Sequence, residues 1–255
     1  MNAILSIGIP LDMSFLAGTA WLLLILMVFV VFKVLFRERR RLGGKSQWKP
    51  TMIKVRQSHK PYYLFFDTET TGLAKDADKP ASDDDNWPRL VQLSWILTEK
   101  DGTIVKKEDH IIRPVGFTIP QDAFQVHGIS TEAAKSLGDN LGYVLGLFAK
   151  DCYSSCLCIG HNVQFDKKVV GSEYLRLGRN DAVAFIPSAD TMKSSKFYCR
   201  IEGRNGRYKM PTLQELYEFL FSANFSGAHD SMSDVKATMD CFFELKRREV
   251  LIISE

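Results

Sequence analysis

Two carboxylates two residues apart, Asp67 and Glu69, follow the apolar run Tyr62-Tyr63-Leu64-Phe65-Phe66 and precede a break at Gly72. In an extended strand residues i and i+2 share a face, so both acids point the same way from the end of a strand otherwise suited to burial. Adjacent carboxylates raise each other's pKa unless a cation neutralises them, and their hard oxygens suit Mg2+ or Mn2+. The same Asp-x-Glu pattern also suits a solvated turn, so the pair alone leaves both readings open. Further along, Asp166 and Asp234 stand where regular elements meet loops, and His229 precedes Asp234 by five positions. Four carboxylates and one histidine make the donor set of a two-metal hydrolase, the histidine being the side chain suited to taking a proton from water near neutral pH.

The elements that must position these residues follow from the pattern around them. Tyr62 to Leu73 opens a folded domain with a strand. Ala74 to Arg89, with Asp76, Asp78, Asp83, Asp84, Asp85, Pro80 and Pro88, reads as an exposed loop with solvated acids and no part in a core. Leu90 to Leu97 and Thr103 to Ile112, split by Glu99-Lys100-Asp101-Gly102, read as a hairpin. Ser130 or Thr131 can cap a short helix, and Leu141 to Lys150 continues as an amphipathic helix. Cys156 to Gly160 predicts a short buried strand before a helix reaching Leu177. Ala184 to Thr191 predicts another strand, ending at Asp190. Helices follow over Leu213 to Phe221 and Ser231 to Val250. Strands first, then alternating helix and strand, predict a mixed α/β domain. A basic and aromatic stretch, Lys193, Lys196, Phe197, Tyr198, Arg200, Arg204, Arg207, Tyr208 and Lys209, suits single-stranded nucleic acid and equally a solvated surface loop.

Three segments carry a resemblance to a known family. They are Phe66-Asp67-Thr68-Glu69-Thr70-Thr71-Gly72-Leu73, Gly160-His161-Asn162-Val163-Gln164-Phe165-Asp166 and His229-Asp230-Ser231-Met232-Ser233-Asp234. In order and spacing, from about Tyr62 to Leu251, the chain resembles the DEDDh, or DnaQ-like, 3′-to-5′ exonucleases. The resemblance implies a ribonuclease H-like fold, a mixed sheet flanked by helices. It implies two Mg2+ or Mn2+ ions held by Asp67, Glu69, Asp166 and Asp234, with His229 as general base. It also implies that Thr70, Thr71, Leu73 and His127 lie at the terminal nucleotide and that Asn162 and Phe165 support Asp166. A lone histidine such as His127 is otherwise a common turn or core residue. Ser231 stands where the family more often has alanine, a change expected to matter little. The implied activity is release of nucleoside monophosphates from single-stranded or frayed 3′ ends, with DNA favoured over RNA. The alternatives are an RNA-trimming exoribonuclease and a catalytically silent nucleic-acid-binding scaffold.

The N-terminal part has a different character. Met13 to Phe32 carries no charge over twenty residues, which at ~1.5 Å rise per residue spans a hydrocarbon core of ~30 Å. Lys33, Arg37, Arg39, Arg40, Arg41 and Lys45 follow it, whereas only Asp12 is charged before it. Positive-inside logic predicts a single-pass membrane anchor with everything after Arg41 facing the cytoplasm. A cleaved signal peptide would carry its charges ahead of a shorter apolar run. The reading is therefore an anchor at 1–36, a basic juxtamembrane linker at 37–60 and an exonuclease domain at 61–255. Through Lys60 the chain has 10 Lys and Arg against 2 acids, net +8, leaving 23 against 28, net −5. The basic excess suits anionic lipid headgroups before nucleic acid. The five cysteines show no zinc-type spacing and suit reduced, buried thiols.

Overall fold

A computed structural model describes residues 49–55, 59–83 and 85–254. Strands β1 (Thr51–Lys54), β2 (Tyr62–Thr70), β3 (Leu90–Glu99) and β4 (Ile104–Ile111) come first. They are followed by α1 (Gln121–His127), α2 (Thr131–Leu137), α3 (Leu141–Ser154), β5 (Ser155–Gly160), α4 (Val163–Arg176), β6 (Ser188–Asp190) and α5 (Thr191–Cys199). The last elements are α6 (Leu213–Phe221), α7 (Ser231–Arg247) and β7 (Leu251–Ser254). Five strands form one mixed sheet in the order β4-β3-β2-β5-β6. β3 runs antiparallel to β2 and β4, while β5 runs parallel to β2 and β6. The mixed α/β architecture expected from the pattern is thus present, with β2 at its centre.

The period of two along β2 sorts its side chains between two helical layers. Leu64 and Phe66 join one core with Val144, Leu145 and Phe148 of α3 and Val163, Val169 and Val170 of α4. Tyr63 and Phe65 face the other way, where both rings meet Phe242 of α7 edge-on at centroid separations of 5.6 and 5.3 Å. The same alternation continues into the acids, so Asp67 and Glu69 leave the strand on the α7 side and Thr68 on the α4 side. The hairpin between β3 and β4 closes through Gly102, whose φ of +101° only glycine adopts readily and where a β-carbon would come within 3.2 Å of the Phe243 ring.

Four local expectations differ from the structure. Asn86 and Trp87, within the loop expected to stay out of the core, are 6% and 4% exposed. Asn86 clasps Asp76 by accepting from its N–H and donating to its carbonyl, at 2.8 and 2.9 Å, and the Trp87 indole donates to Pro80. The strand expected over Ala184 to Thr191 shrinks to Ser188–Asp190, because Pro187 has no N–H for a ladder and Phe185 is almost fully exposed. Part of the basic stretch is the helix α5, capped by the Asp190 carboxylate on the N–H groups of Met192 and Lys193. Its buried residues are Thr191, Ser194, Ser195 and Cys199, so it has no apolar stripe to announce it. Finally, Thr51–Lys54, inside the stretch read as linker, pair in parallel with Leu251–Ser254 as a separate two-stranded sheet.

Among the described residues no helix is long and apolar enough to cross a membrane; the span expected at 13–32 lies outside them. The five cysteines are buried and unbridged. Because Phe65 is fully buried against Phe242 and Phe243, Phe65→Ala is expected to destabilise the fold by about 3–5 kcal/mol. Denaturant titration followed by tryptophan fluorescence checks this; a loss under about 1 kcal/mol would show that β2 is not held through its α7 face.

Candidate active site

The end of β2 collects carboxylates from three elements. Asp67, Glu69 and Asp234 each offer an oxygen, and the three oxygens lie within 4.8 Å of one another. Asp234 enters from the first turn of α7 on one face of the sheet. Asp166 enters from the first turn of α4 on the other, where Thr68 donates to its Oδ1 at 2.7 Å. Asp166 stands outside the three-oxygen group, yet after burial its charge is the strongest influence on Asp67. Two residues to which the sequence reading gave no role in the site, Ser231 and Asp190, hold this assembly. Ser231, fully buried, donates its hydroxyl to the Asp67 carbonyl at 2.9 Å, which ties the start of α7 to β2; a small alanine there would fill the space but not make the bond. Asp190 accepts from the Asn162 N–H at 3.1 Å as well as capping α5. Neither has a signal in one sequence, because both partners are remote in the chain.

The electrostatics are those of crowded acids without a counter-charge. Burial pushes Asp67 well above the usual carboxylate range, and the charges of Asp166, Asp234 and Glu69 push it further. Burial and then the charge of Asp234 raise Glu69 to about 8. Asp166 is raised mainly by burial, offset in part by Thr68. Asp234 rises to about 6 through burial, held down by the His229 N–H that donates to its Oδ2 at 3.2 Å. Among the described residues its other oxygen is buried without a hydrogen-bond partner. An orphaned carboxylate oxygen beside two more carboxylates fits a divalent cation of the Mg2+ or Mn2+ type, which would supply the missing bond and the missing charge.

The remaining expected residues surround the same strand end. Thr70 hydroxyl donates to the Gly72 carbonyl, and Thr71 exchanges hydrogen bonds with the backbone of Arg89 on both sides. Leu73 is 87% exposed beyond the strand. His127 sits at the C-terminus of α1, its Nδ1 accepting from the Ile129 N–H, and its buried Nε2 makes no geometric hydrogen bond among the described residues. Burial lowers its pKa and the Thr70 carbonyl pulls the other way, which places the ring beside the first motif. Asn162 occupies the N-cap position of α4 in a left-handed conformation, and its side chain makes no capping bond there. Phe165 packs partly buried against the core and against Trp87, at a centroid distance of 6.1 Å. His229 is exposed, with φ +69°, and its imidazole lies near enough to Asp234 to hold that carboxylate down by charge as well.

A mixed sheet whose central strand delivers paired acids between two helical layers is the fold of a nuclease-type hydrolase, and the comparisons with known proteins agree. The family model described as Exonuclease (RNase_T) matches residues 64–242; the chain belongs to that family. A DNA polymerase III of PolC type from Pediococcus pentosaceus is 26% identical over 173 residues, which cover 66% of this chain and 10% of that protein. Among solved structures, Escherichia coli exonuclease I in complex with a dT13 oligonucleotide superposes with a TM-score of 0.59 at 23% identity, over 74% of this chain and 42% of that one. A zinc-bound exonuclease I complex with single-stranded DNA superposes at 0.58 and 24% identity, over 74% and 41%. The chain thus spans about a tenth of its curated relative and under half of these solved structures.

The raised carboxylates set a pH dependence. The folded chain keeps protons on Glu69 and Asp234 that the unfolded chain releases near pH 4, so their contribution to stability is complete below that pH and is lost as pH rises to about 8. The metal-free protein is expected to melt at a lower temperature at about pH 8 than at about pH 5, and Mn2+ to raise Tm more at the higher pH. Scanning fluorimetry in EDTA and in Mn2+ reads both; a metal shift that ignores pH would contradict the cluster as the binding site.

Proposed function

We propose that the chain is a metal-dependent 3′-to-5′ exonuclease that releases nucleoside monophosphates from single-stranded or frayed ends, with DNA the preferred substrate. The convergence of Asp67, Glu69 and Asp234 on one point, with Asp166 beside Asp67, carries this reading. The first three residues would hold one Mg2+ or Mn2+, and Asp67 with Asp166 a second. Bound there, such ions supply a water acidified to a nucleophile and charge stabilisation for the departing 3′ oxygen.

This chain's own residues supply the rest. His229, exposed at the rim and tied by its backbone to Asp234, takes the proton of the attacking water. Thr70, Thr71 and Leu73 extend from the acids as the floor for the terminal nucleotide, with His127 beside Thr70. The binding of oligothymidylate and of single-stranded DNA by the exonuclease I structures supports the substrate class. All four carboxylates are present, which argues against a silent scaffold.

Asp67→Asn is expected to abolish Mg2+-dependent release of mononucleotides from a 5′-labelled strand while leaving the circular dichroism spectrum unchanged. In the same assay His229→Ala should cut kcat by about 10² to 10⁴. Substantial activity in the first variant would sink the metal assignment, and an unchanged rate in the second would remove the base. Running DNA and RNA strands side by side decides the sugar preference.

The same reading keeps residues 13–32 as a single-pass anchor with the catalytic domain on the cytoplasmic side, supported by the uncharged run and the arginines after it. The full chain is then expected to pellet with membranes in alkaline carbonate and a chain lacking residues 1–41 to stay in the supernatant. A truncated chain that still pellets would place the membrane contact elsewhere.

A further inference from the structure

Away from the acids, a cavity of about 640 Å3 opens between the start of β3, the loop after β4 and the facing ends of α3 and α4. Four of its lining residues are arginines, Arg89, Arg113, Arg176 and Arg179, against a single carboxylate, Glu173. That is a formal +3 in a part of the chain that is otherwise acidic. Glu173 is 1% exposed and fully committed. It accepts from Arg89 Nε at 2.8 Å and from the Leu90 N–H at 3.0 Å, and it pairs with Arg176 at 3.0 Å. Arg179 uses one N–H on the Gly142 carbonyl at 2.7 Å and, among the described residues, has no carboxylate partner. Among the described residues the exposed Arg113 has no side-chain partner at all.

Two further features narrow what the cavity can hold. The Arg89 guanidinium lies over the Phe117 ring, 4.3 Å from its centroid, so one wall joins a flat cation to an aromatic face suited to stacking a base. The first turn of the fourteen-residue α3 forms the opposite wall through Asn140, Leu141 and Gly142, adding the positive end of its dipole. The volume lies within the range of roughly 300–1,000 Å3 typical of small-ligand sites. Planar guanidiniums that lack carboxylates are geometric partners for phosphate oxygens.

The geometry points to a nucleotide-binding pocket, formed by Arg113 and Arg179 on the phosphate and by Phe117 with Arg89 on the base. Its ligand is a nucleoside 5′-phosphate unit, either free or as an internal unit of a strand. The pocket is linked to the first motif by one residue, because the backbone of Arg89 bonds to Thr71 through both its N–H and its carbonyl. The proposal rests on the nucleic-acid reading of the site for its choice of ligand, but its test does not need catalysis.

The test uses the full chain in non-ionic detergent with EDTA, so that the acids hold no metal. Binding of thymidine 5′-monophosphate and of a short fluorescent oligothymidylate is measured for the wild type, Arg113→Glu and Arg179→Gln, each checked for an unchanged melting temperature. Arg113→Glu is expected to weaken one or both ligands by about tenfold or more, the loss typical of a charge-assisted bond. Arg179→Gln, which keeps an N–H for Gly142, is expected to lose less. Weakening of the mononucleotide identifies a free nucleotide as ligand; weakening of the oligonucleotide alone identifies a strand phosphate. Affinities within about twofold across all three proteins, or no binding by the wild type, overturn the pocket. Mg2+-dependent hydrolysis measured in parallel separates the two readings. An active chain with insensitive binding loses only the pocket, and an inactive chain with Arg113-dependent binding loses only the exonuclease.

Discussion

Mutual repulsion among desolvated carboxylates is the constraint around which the domain is arranged. Asp67 and Glu69 would relax apart or turn to water if their strand could move, and it cannot. β2 is hydrogen-bonded on both edges, to β3 and β5, and clamped on both faces by buried aromatic rings. Helices on opposite faces then each bring an acid to the strand end by their first turns, α4 with Asp166 and α7 with Asp234. Acids in a first turn also complement the helix dipole, which lowers the cost of bringing them together. The core therefore stores the electrostatic work that a bound cation would release.

Polar contacts make that clamp specific. Burial of leucine and phenylalanine fixes β2 between its layers but does not fix the height of a carboxylate to an ångström. Ser231 on the Asp67 carbonyl and Thr68 on Asp166 supply that second level of positioning. Each is a single hydrogen bond, worth about 1 kcal/mol in stability, and each acts on geometry more than on stability. Serine at position 231 thus makes a bond to β2 that an alanine of similar size could not make.

Much of this was legible in the sequence because it depends on period and on local order. The alternation through Tyr62 to Glu69 predicts the shared face of the two acids, and the hairpin, α3, α4 and α6 follow from apolar spacing and turn residues. What could not be read depends on polar burial and on long-range pairing. α5 buries threonine, serines and a cysteine, so its pattern is that of a surface segment. Asn86 and Trp87 enter the core from a stretch whose composition is that of solvent-exposed chain, because one asparagine satisfies the backbone of Asp76. β1 has four residues and finds its partner about two hundred positions later, a distance over which no local signal acts.

His229 follows a different rule from the acids. They are rigid and shielded; it lies on an exposed loop in a left-handed conformation that costs a β-carbon residue of order 1 kcal/mol. The strain holds because Asp230 caps α7 through Ser233 and the His229 N–H reaches Asp234. The backbone is therefore held relative to the acids while the imidazole remains open to solvent, which is compatible with the base role proposed for it. Charge completes the division. A polyanion meets four repelling carboxylates at the end of β2 unless cations cover them, but a few residues away Arg89 joins the same loop to an arginine-lined cavity. The proposed chemistry and the proposed pocket thus lie at neighbouring points of one end of the sheet, joined by the Thr71–Arg89 backbone pair.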